Sequence, residues 1–134
     1  MEPMLHLSIP VRDVDEALRF YEHALGCRAA RRRAGFADVW FYGMQVTLQD
    51  RPAEVAADHG RSVRHFGVTL GRSEFDALVG RLRAAGVPWV VPVTTDHAGL
   101  PTEQTKGKIA DPSGNVIELK TYRDPAAALE VPPA

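Results

Sequence analysis

The sequence predicts an α+β fold in which two βαβββ repeats form one curved mixed sheet. Three observations carry that expectation. A short apolar run opened by histidine occurs twice, as His6-Leu7-Ser8-Ile9-Pro10-Val11 and as His65-Phe66-Gly67-Val68-Thr69-Leu70. Each run leads into a single amphipathic stretch that stops at a glycine, and three strand-like runs follow each of those stretches. The ends of the halves also align: Gly43-Met44-Gln45-Val46-Thr47-Leu48 matches Gly114-Asn115-Val116-Ile117-Glu118-Leu119, so Thr47 is the mate of Glu118.

The first helix takes Asp13 as N-cap with Glu16 three residues on, a capping-box arrangement. Val14, Ala17, Leu18, Tyr21 and Leu25 follow the spacing of one buried face, and Gly26 supplies the left-handed stop. The second helix starts at Ser73, buries Phe75, Leu78, Val79 and Leu82, and stops at Gly86 with Pro88 just beyond. Strands are expected over 27–33, 38–42 and 44–50 in the first repeat, and over 89–94, 105–110 and 116–121 in the second. The turn Asp111-Pro112-Ser113-Gly114 joins the last two strands, with Pro and Gly where a type I turn prefers them. The 134 residues then read as one domain: module one over 4–50, a polar Ala-rich linker over 51–62, module two over 63–122, and a tail over 123–134 with a frayed end.

Composition narrows the function classes. Hydrophobic residues make up 45% and charged residues 25%, and the net charge is −1, so no basic stripe is available for nucleic acid. No apolar run approaches the ~20 residues that span a bilayer, and Met1-Glu2-Pro3-Met4 lacks the basic-then-apolar pattern of a leader; a cytoplasmic protein is expected. The single cysteine, Cys27, excludes an internal disulfide and a four-cysteine zinc site, and reads as a small core filler. Thirteen of the sixteen basic residues are Arg, whereas Lys106, Lys108 and Lys120 lie close together in the second repeat.

Strand alternation turns the pattern toward chemistry. If Leu5, Leu7 and Ile9 pack on the helices, His6 and Ser8 point to the opposite, concave face. Ile117 and Leu119 put Glu118 on that face by the same rule, and His65 precedes Phe66 and Val68 in the same sense. Two readings of these residues stand side by side. They are half-buried strand residues with Glu118 in a salt bridge, or they are two imidazoles and a carboxylate sharing one concavity.

The tandem βαβββ units, Pro10-Val11-Arg12-Asp13 before a helix ending Phe20-Tyr21 and Leu25-Gly26, and the closing Asp111-Pro112-Ser113-Gly114-Asn115-Val116-Ile117-Glu118 resemble the vicinal oxygen chelate superfamily. That superfamily includes glyoxalases, bleomycin- and fosfomycin-resistance proteins and extradiol ring-cleaving dioxygenases, and the likeness covers roughly residues 5–122. The loop Pro101-Thr102-Glu103-Gln104 looks most like small single-domain extradiol-type dioxygenases. The resemblance implies the glyoxalase/bleomycin resistance/dihydroxybiphenyl dioxygenase-like fold, a homodimer, and a divalent metal held by His6, His65 and Glu118. Such a ligand set favours Fe(II), while Mn(II), Zn(II) and Ni(II) are the alternatives. It further implies bidentate chelation of two neighbouring oxygens on a small-molecule substrate.

The sequence departs from individual relatives at informative places. Where glyoxalase I has a fourth ligand, this chain has Thr47, a poor ligand for a hard cation, with Gln45 two residues away. Where extradiol dioxygenases and fosfomycin-resistance transferases commonly carry a tyrosine, ten residues before the carboxylate, this chain has Lys108. Lys108 is thus a candidate to hold an anionic substrate or to act as an acid, and Lys106 and Lys120 would extend a positive lining. His97 lies in the longer loop of module two and is a candidate acid/base group on a lid. Trp40 and Tyr42 alternate on one strand and are candidates, with Gln45 and Thr47, to line the concavity. The leading expectation is a metal-dependent dioxygenase-type enzyme for a small anionic compound with vicinal oxygens. The alternatives are a metal-dependent transferase, lyase or isomerase, and a metal-free drug-binding protein with an aromatic-lined groove.

Overall fold

The computed structural model of the chain describes residues 1–56 and 63–129. Module one comprises β1 (His6–Val11), α1 (Val14–Arg19), β2 (Arg28–Arg33), β3 (Phe36–Phe41) and β4 (Met44–Asp50). Module two repeats the series as β5 (Phe66–Thr69), α2 (Arg72–Ala84), β6 (Trp89–Asp96), β7 (Gln104–Ala110) and β8 (Val116–Tyr122). In place of one curved sheet, the strands form two four-stranded mixed sheets, β1-β4-β3-β2 and β5-β8-β7-β6, which have the same order strand for strand. In each, the first strand pairs parallel to the last, and the other pairings are antiparallel. The linker begins with a single 3-10 turn, Pro52–Glu54, while its part over 57–62 and the tail end over 130–134 lie outside the described residues.

Local chemistry explains most boundaries. Asp13 caps α1 by accepting from the Glu16 amide at 2.7 Å, but Glu16 turns outward to Arg12 Nε at 2.7 Å, so only half of the capping box forms. The helix then widens into a π turn over Phe20–Ala24, with the Leu25 amide reaching the Phe20 carbonyl five residues back at 3.2 Å. This departs from the uniform α-helical spacing expected of the sequence, yet Tyr21, Ala24 and Leu25 all remain buried. At the β3–β4 hairpin, Tyr42 and Gly43 both have positive φ (49° and 84°), which makes a two-residue turn of the primed kind. The strand expected over 38–42 is therefore shifted back to Phe36–Phe41, and Tyr42 belongs to the turn.

One hydrophobic core serves both modules. It joins Ile9, Val11, Tyr21, Val39, Phe41, Val46 and Leu48 to Phe75, Leu78, Leu82, Ile109, Ile117 and Leu119. Each fully buried large side chain of this kind contributes about 1.5–3 kcal/mol. A polar staple crosses the same boundary. The buried Asp111 carboxylate accepts from the Tyr21 hydroxyl at 3.0 Å, from the Ser113 and Asn115 amides at 2.9 Å each, and from Asn115 Nδ2 at 2.9 Å. Asn115 Nδ2 also donates to the Pro10 carbonyl at 2.9 Å, and the Arg12 amide donates to Ser113 Oγ at 2.8 Å. Burial drives the Asp111 pKa up, and the hydrogen bonds from Asn115, Tyr21 and Ser113 only partly offset that push. The turn that closes the family-like motif is thus the joint between the modules.

Candidate metal and substrate site

Because both sheets bury their helix-side faces in one core, alternation turns the other faces away from it. On module two, that outward face carries Lys106 and Lys108 from β7 and Glu118 and Lys120 from β8, each partly exposed between buried neighbours. In the ladder, Lys108 stands opposite Glu118 and Lys106 opposite Lys120. β5 lies on the other side of β8, with Gly67 opposite Glu118. A Cβ at Gly67 would come within 2.0 Å of the Glu118 carbonyl oxygen, so only glycine fits there. That close approach holds the Glu118 backbone against the strand that follows His65.

The imidazole of His65 has both nitrogens engaged. Nδ1 lies 2.8 Å from the Val63 carbonyl, and Nε2 lies 2.8 Å from Glu118 Oε2. A carbonyl can only accept, so the contact at Nδ1 requires the proton there. In a neutral ring, Nε2 would then present a lone pair to a carboxylate oxygen. A proton between the two atoms, or a bound cation, closes that contact. A backbone carbonyl that fixes the tautomer from the second nitrogen is also the usual support of a metal-ligating histidine. An imidazole nitrogen and a carboxylate oxygen side by side are the donor types that would hold a divalent metal there.

The lysines are held differently. Lys120 Nζ lies 3.8 Å from Glu118 Oε1 and 5.9 Å from the Tyr122 ring centroid. Lys106 Nζ pairs with Asp96 Oδ2 at 3.1 Å. Among the described residues, Lys108 makes no ion pair. A cleft of about 240 Å³ runs beside β5 and is lined by His65, Thr69, Glu118 and Lys120, among others.

The corresponding face of module one is closed by its own hydrogen bonds. Asp38, 1% exposed, accepts from Thr47 Oγ1 at 2.7 Å, from Arg31 Nε at 2.6 Å and from Gln45 Nε2 at 3.3 Å. Desolvation alone would raise the Asp38 pKa, but the hydrogen bonds from Thr47, Arg31 and Gln45 together with the Arg31 charge bring it below the usual carboxylate value. Thr47 and Gln45, expected to meet substrate, are thus bound to Asp38. Arg31, from the basic run of β2, is its ion-pair partner. Asp38 itself escaped the sequence reading, although an acidic residue between Ala37 and Val39 on a strand was a signal that it faces a partner. Trp40 is half-buried on the same face, whereas Tyr42 leaves that face for the turn, 45% exposed and edge-on to Phe41.

The other expected residues lie elsewhere. His6 is exposed at the start of β1, across the ladder from Gln45, and no group of three His, Cys, Asp or Glu side chains converges among the described residues. One chain therefore brings His65 and Glu118 together without His6. His97 follows β6 with φ 54° and is exposed in a turn that the Leu100 amide closes onto its carbonyl at 3.0 Å. Burial pushes the Cys27 thiol up to about 11, as suits a core filler. No described helix is long and apolar enough to cross a membrane.

Residues 4–119 match the family model of the glyoxalase/bleomycin resistance protein/dioxygenase superfamily. The chain belongs to that superfamily. An uncharacterized protein of Pseudomonas aeruginosa, PA2024, is 30% identical to it over 98% of this chain and 100% of its own. A glyoxalase/bleomycin resistance protein/dioxygenase from Alicyclobacillus acidocaldarius superposes with a TM-score of 0.86 at 32% identity, covering 94% of this chain and 96% of that one. A mutant of the fosfomycin resistance protein FosX from Listeria monocytogenes, complexed with Mn(II) and dihydroxypropylphosphonic acid, superposes with a TM-score of 0.73 over 97% of each chain. At 14% identity, that last likeness speaks for the superfamily fold alone.

Proposed function

We propose that this superfamily member is a metal-dependent, dioxygenase-type enzyme for a small anionic substrate with two neighbouring oxygens. The observation that carries the reading is the His65 Nε2–Glu118 Oε2 contact, which calls for positive charge between two acceptors once Val63 has claimed Nδ1. The third ligand is His6 of a second copy in a homodimer, because a single chain leaves His6 apart from the other two. Two imidazoles and one carboxylate suit Fe(II) best, with Mn(II), Zn(II) or Ni(II) as the other candidates. When bound, the metal supplies Lewis-acid chelation of the two substrate oxygens.

The chain's own residues do the rest. Lys108, opposite Glu118 and without an internal ion pair, holds the substrate anion in the site. Lys106 and Lys120 keep the surrounding surface positive, at the cost of partial pairing with Asp96 and Glu118. Trp40 from module one of the second copy, which brings His6, supplies an apolar wall. The second reading is a transferase, lyase or isomerase. It draws on Lys108 standing where ring-cleaving relatives are expected to carry tyrosine, and on the Mn(II) and diol phosphonate bound by the FosX relative.

Elemental analysis of protein purified anaerobically and without chelator, beside His6→Ala, tests the reading. About one iron per chain, lost in the variant, supports the dioxygenase and warrants oxygen-uptake assays with catechols and related enolates. Manganese, zinc or nickel at that level keeps the site and moves the reaction to the second reading. Absence of metal before and after loading overturns the proposal.

A further inference from the structure

We propose that module two carries a separate site for a small oxyanion, a phosphate or carboxylate group, on the helix-facing side of its sheet. Thr95, Thr105 and Thr121 stand in one row across β6, β7 and β8, as the register pairs Thr95 with Thr105 and Thr105 with Thr121. Alternation places this row behind the face that carries Lys106 and Lys120. The three threonines line a cavity of about 460 Å³ together with Arg72, Arg123 and Glu103.

Two of the hydroxyls are engaged and the third is not. Thr95 Oγ1 and Thr105 Oγ1 are 2.9 Å apart, and Arg72 Nη1 donates to Thr105 Oγ1 at 3.2 Å. Thr121 is 2% exposed, and its Oγ1 is the one buried side-chain polar atom without a partner among the described residues. An unmade hydrogen bond of that kind is costly enough to call for a ligand at the cavity.

The surrounding charge specifies an anion. α2 starts at Arg72 behind Gly71, which brings no side-chain cap, so the first-turn amides lack a side-chain acceptor there. The Leu70 amide bonds the Lys120 carbonyl at 2.8 Å, which sets this helix start beside Thr121. Two guanidiniums, Arg72 and Arg123, line the cavity against one carboxylate, Glu103, whose Oε1 already accepts from the Gly99 amide at 2.8 Å. Arg72 also pairs outward with Asp76 at 3.2 Å, so an anion would share that guanidinium rather than displace a buried pair.

The test is an amide-resolved NMR titration of the full chain with sodium phosphate and, separately, sodium acetate, against sodium chloride at matched ionic strength. Saturable shifts at Arg72, Ser73, Thr105 and Thr121 are expected, weakened about tenfold in Arg72→Ala and several-fold in the near-isosteric Thr121→Val. Response to phosphate alone, or to acetate alone, names the group. Shifts no larger than those with chloride mean that water satisfies Thr121, and overturn the site. Binding that survives both variants and disappears in Lys108→Ala belongs to the opposite face, and overturns it equally.

Discussion

The two modules share a ladder, yet at one corresponding cross-strand pair they hold opposite chemistry: Asp38 faces Thr47 in module one, and Lys108 faces Glu118 in module two. In module one every polar group of the cluster has found a partner within the chain, and the acid is buried and ionised by three donors. In module two the acid lies 2.8 Å from His65 Nε2 and stays partly exposed, and the lysine opposite has no ion pair among the described residues. The duplicated scaffold thus saturates one copy of the position with its own hydrogen bonds and leaves a partly exposed acid and lysine at the other, the copy on which the proposed site rests.

Removing module two's acid should have the largest effect. Glu118→Ala or His65→Ala should lower metal affinity by more than about a hundredfold, measured by competition with a chelating dye, since even supporting residues cost 10–100-fold. Mixing Glu118→Ala chains with His6→Ala chains should restore about a quarter of the sites if copies share them, because about half of the dimers are then mixed and one of the two sites in each keeps all three ligands. Failure of any metal binding to return would place the ligands otherwise.

Gly67→Ala should follow, destabilising the fold by about 2–3 kcal/mol in denaturant unfolding, because its Cβ meets backbone that must move. Metal affinity should fall with it, since the displaced residue is Glu118. In module one, Asp38→Ala should cost about 1–3 kcal/mol by leaving Thr47 and Gln45 without their acceptor, and should leave metal binding alone. The Arg31 pair adds little of this, because its guanidinium side chain is 56% exposed. The pH dependence has a definite sign. Asp38 has a lowered pKa in the folded state, so its contribution is present above the unfolded value near 4 and is lost as pH falls through the lower folded value. Urea midpoints should therefore drop more steeply in acid for the wild type than for Asp38→Ala. The smallest effect on stability, within about 0.5 kcal/mol, is expected for Lys108→Ala, together with a roughly tenfold rise in KM for an anionic substrate.

Much of the fold was legible in the chain. The repeated histidine-led runs, the Asp13 cap, the stops at Gly26 and Gly86 and the alternation of β4, β7 and β8 all appear within a residue or two of expectation. These features are local, set by backbone sterics and side-chain period, so a sequence displays them directly. The π turn and the Tyr42-Gly43 turn were less legible, because apolar spacing tolerates one extra residue in a helix turn and an aromatic seldom takes positive φ. The role of Asp38 was hidden for another reason: its donors come from the two strands on either side of its own, and only register brings them together.

By itself, then, the sequence determined which residues face away from the core: His6 and Thr47 on one sheet, Lys108 and Glu118 on the other. Tertiary structure decided which of them meet. The Asp111 staple and the shared core dock the two modules through their helix-side faces, and that docking leaves His65 with Glu118 while His6 stands apart. Side-chain direction follows from a two-residue period that every strand carries along its own chain. Convergence depends on the packing of residues more than a hundred positions apart, such as Asn115 on Pro10, which no local period encodes.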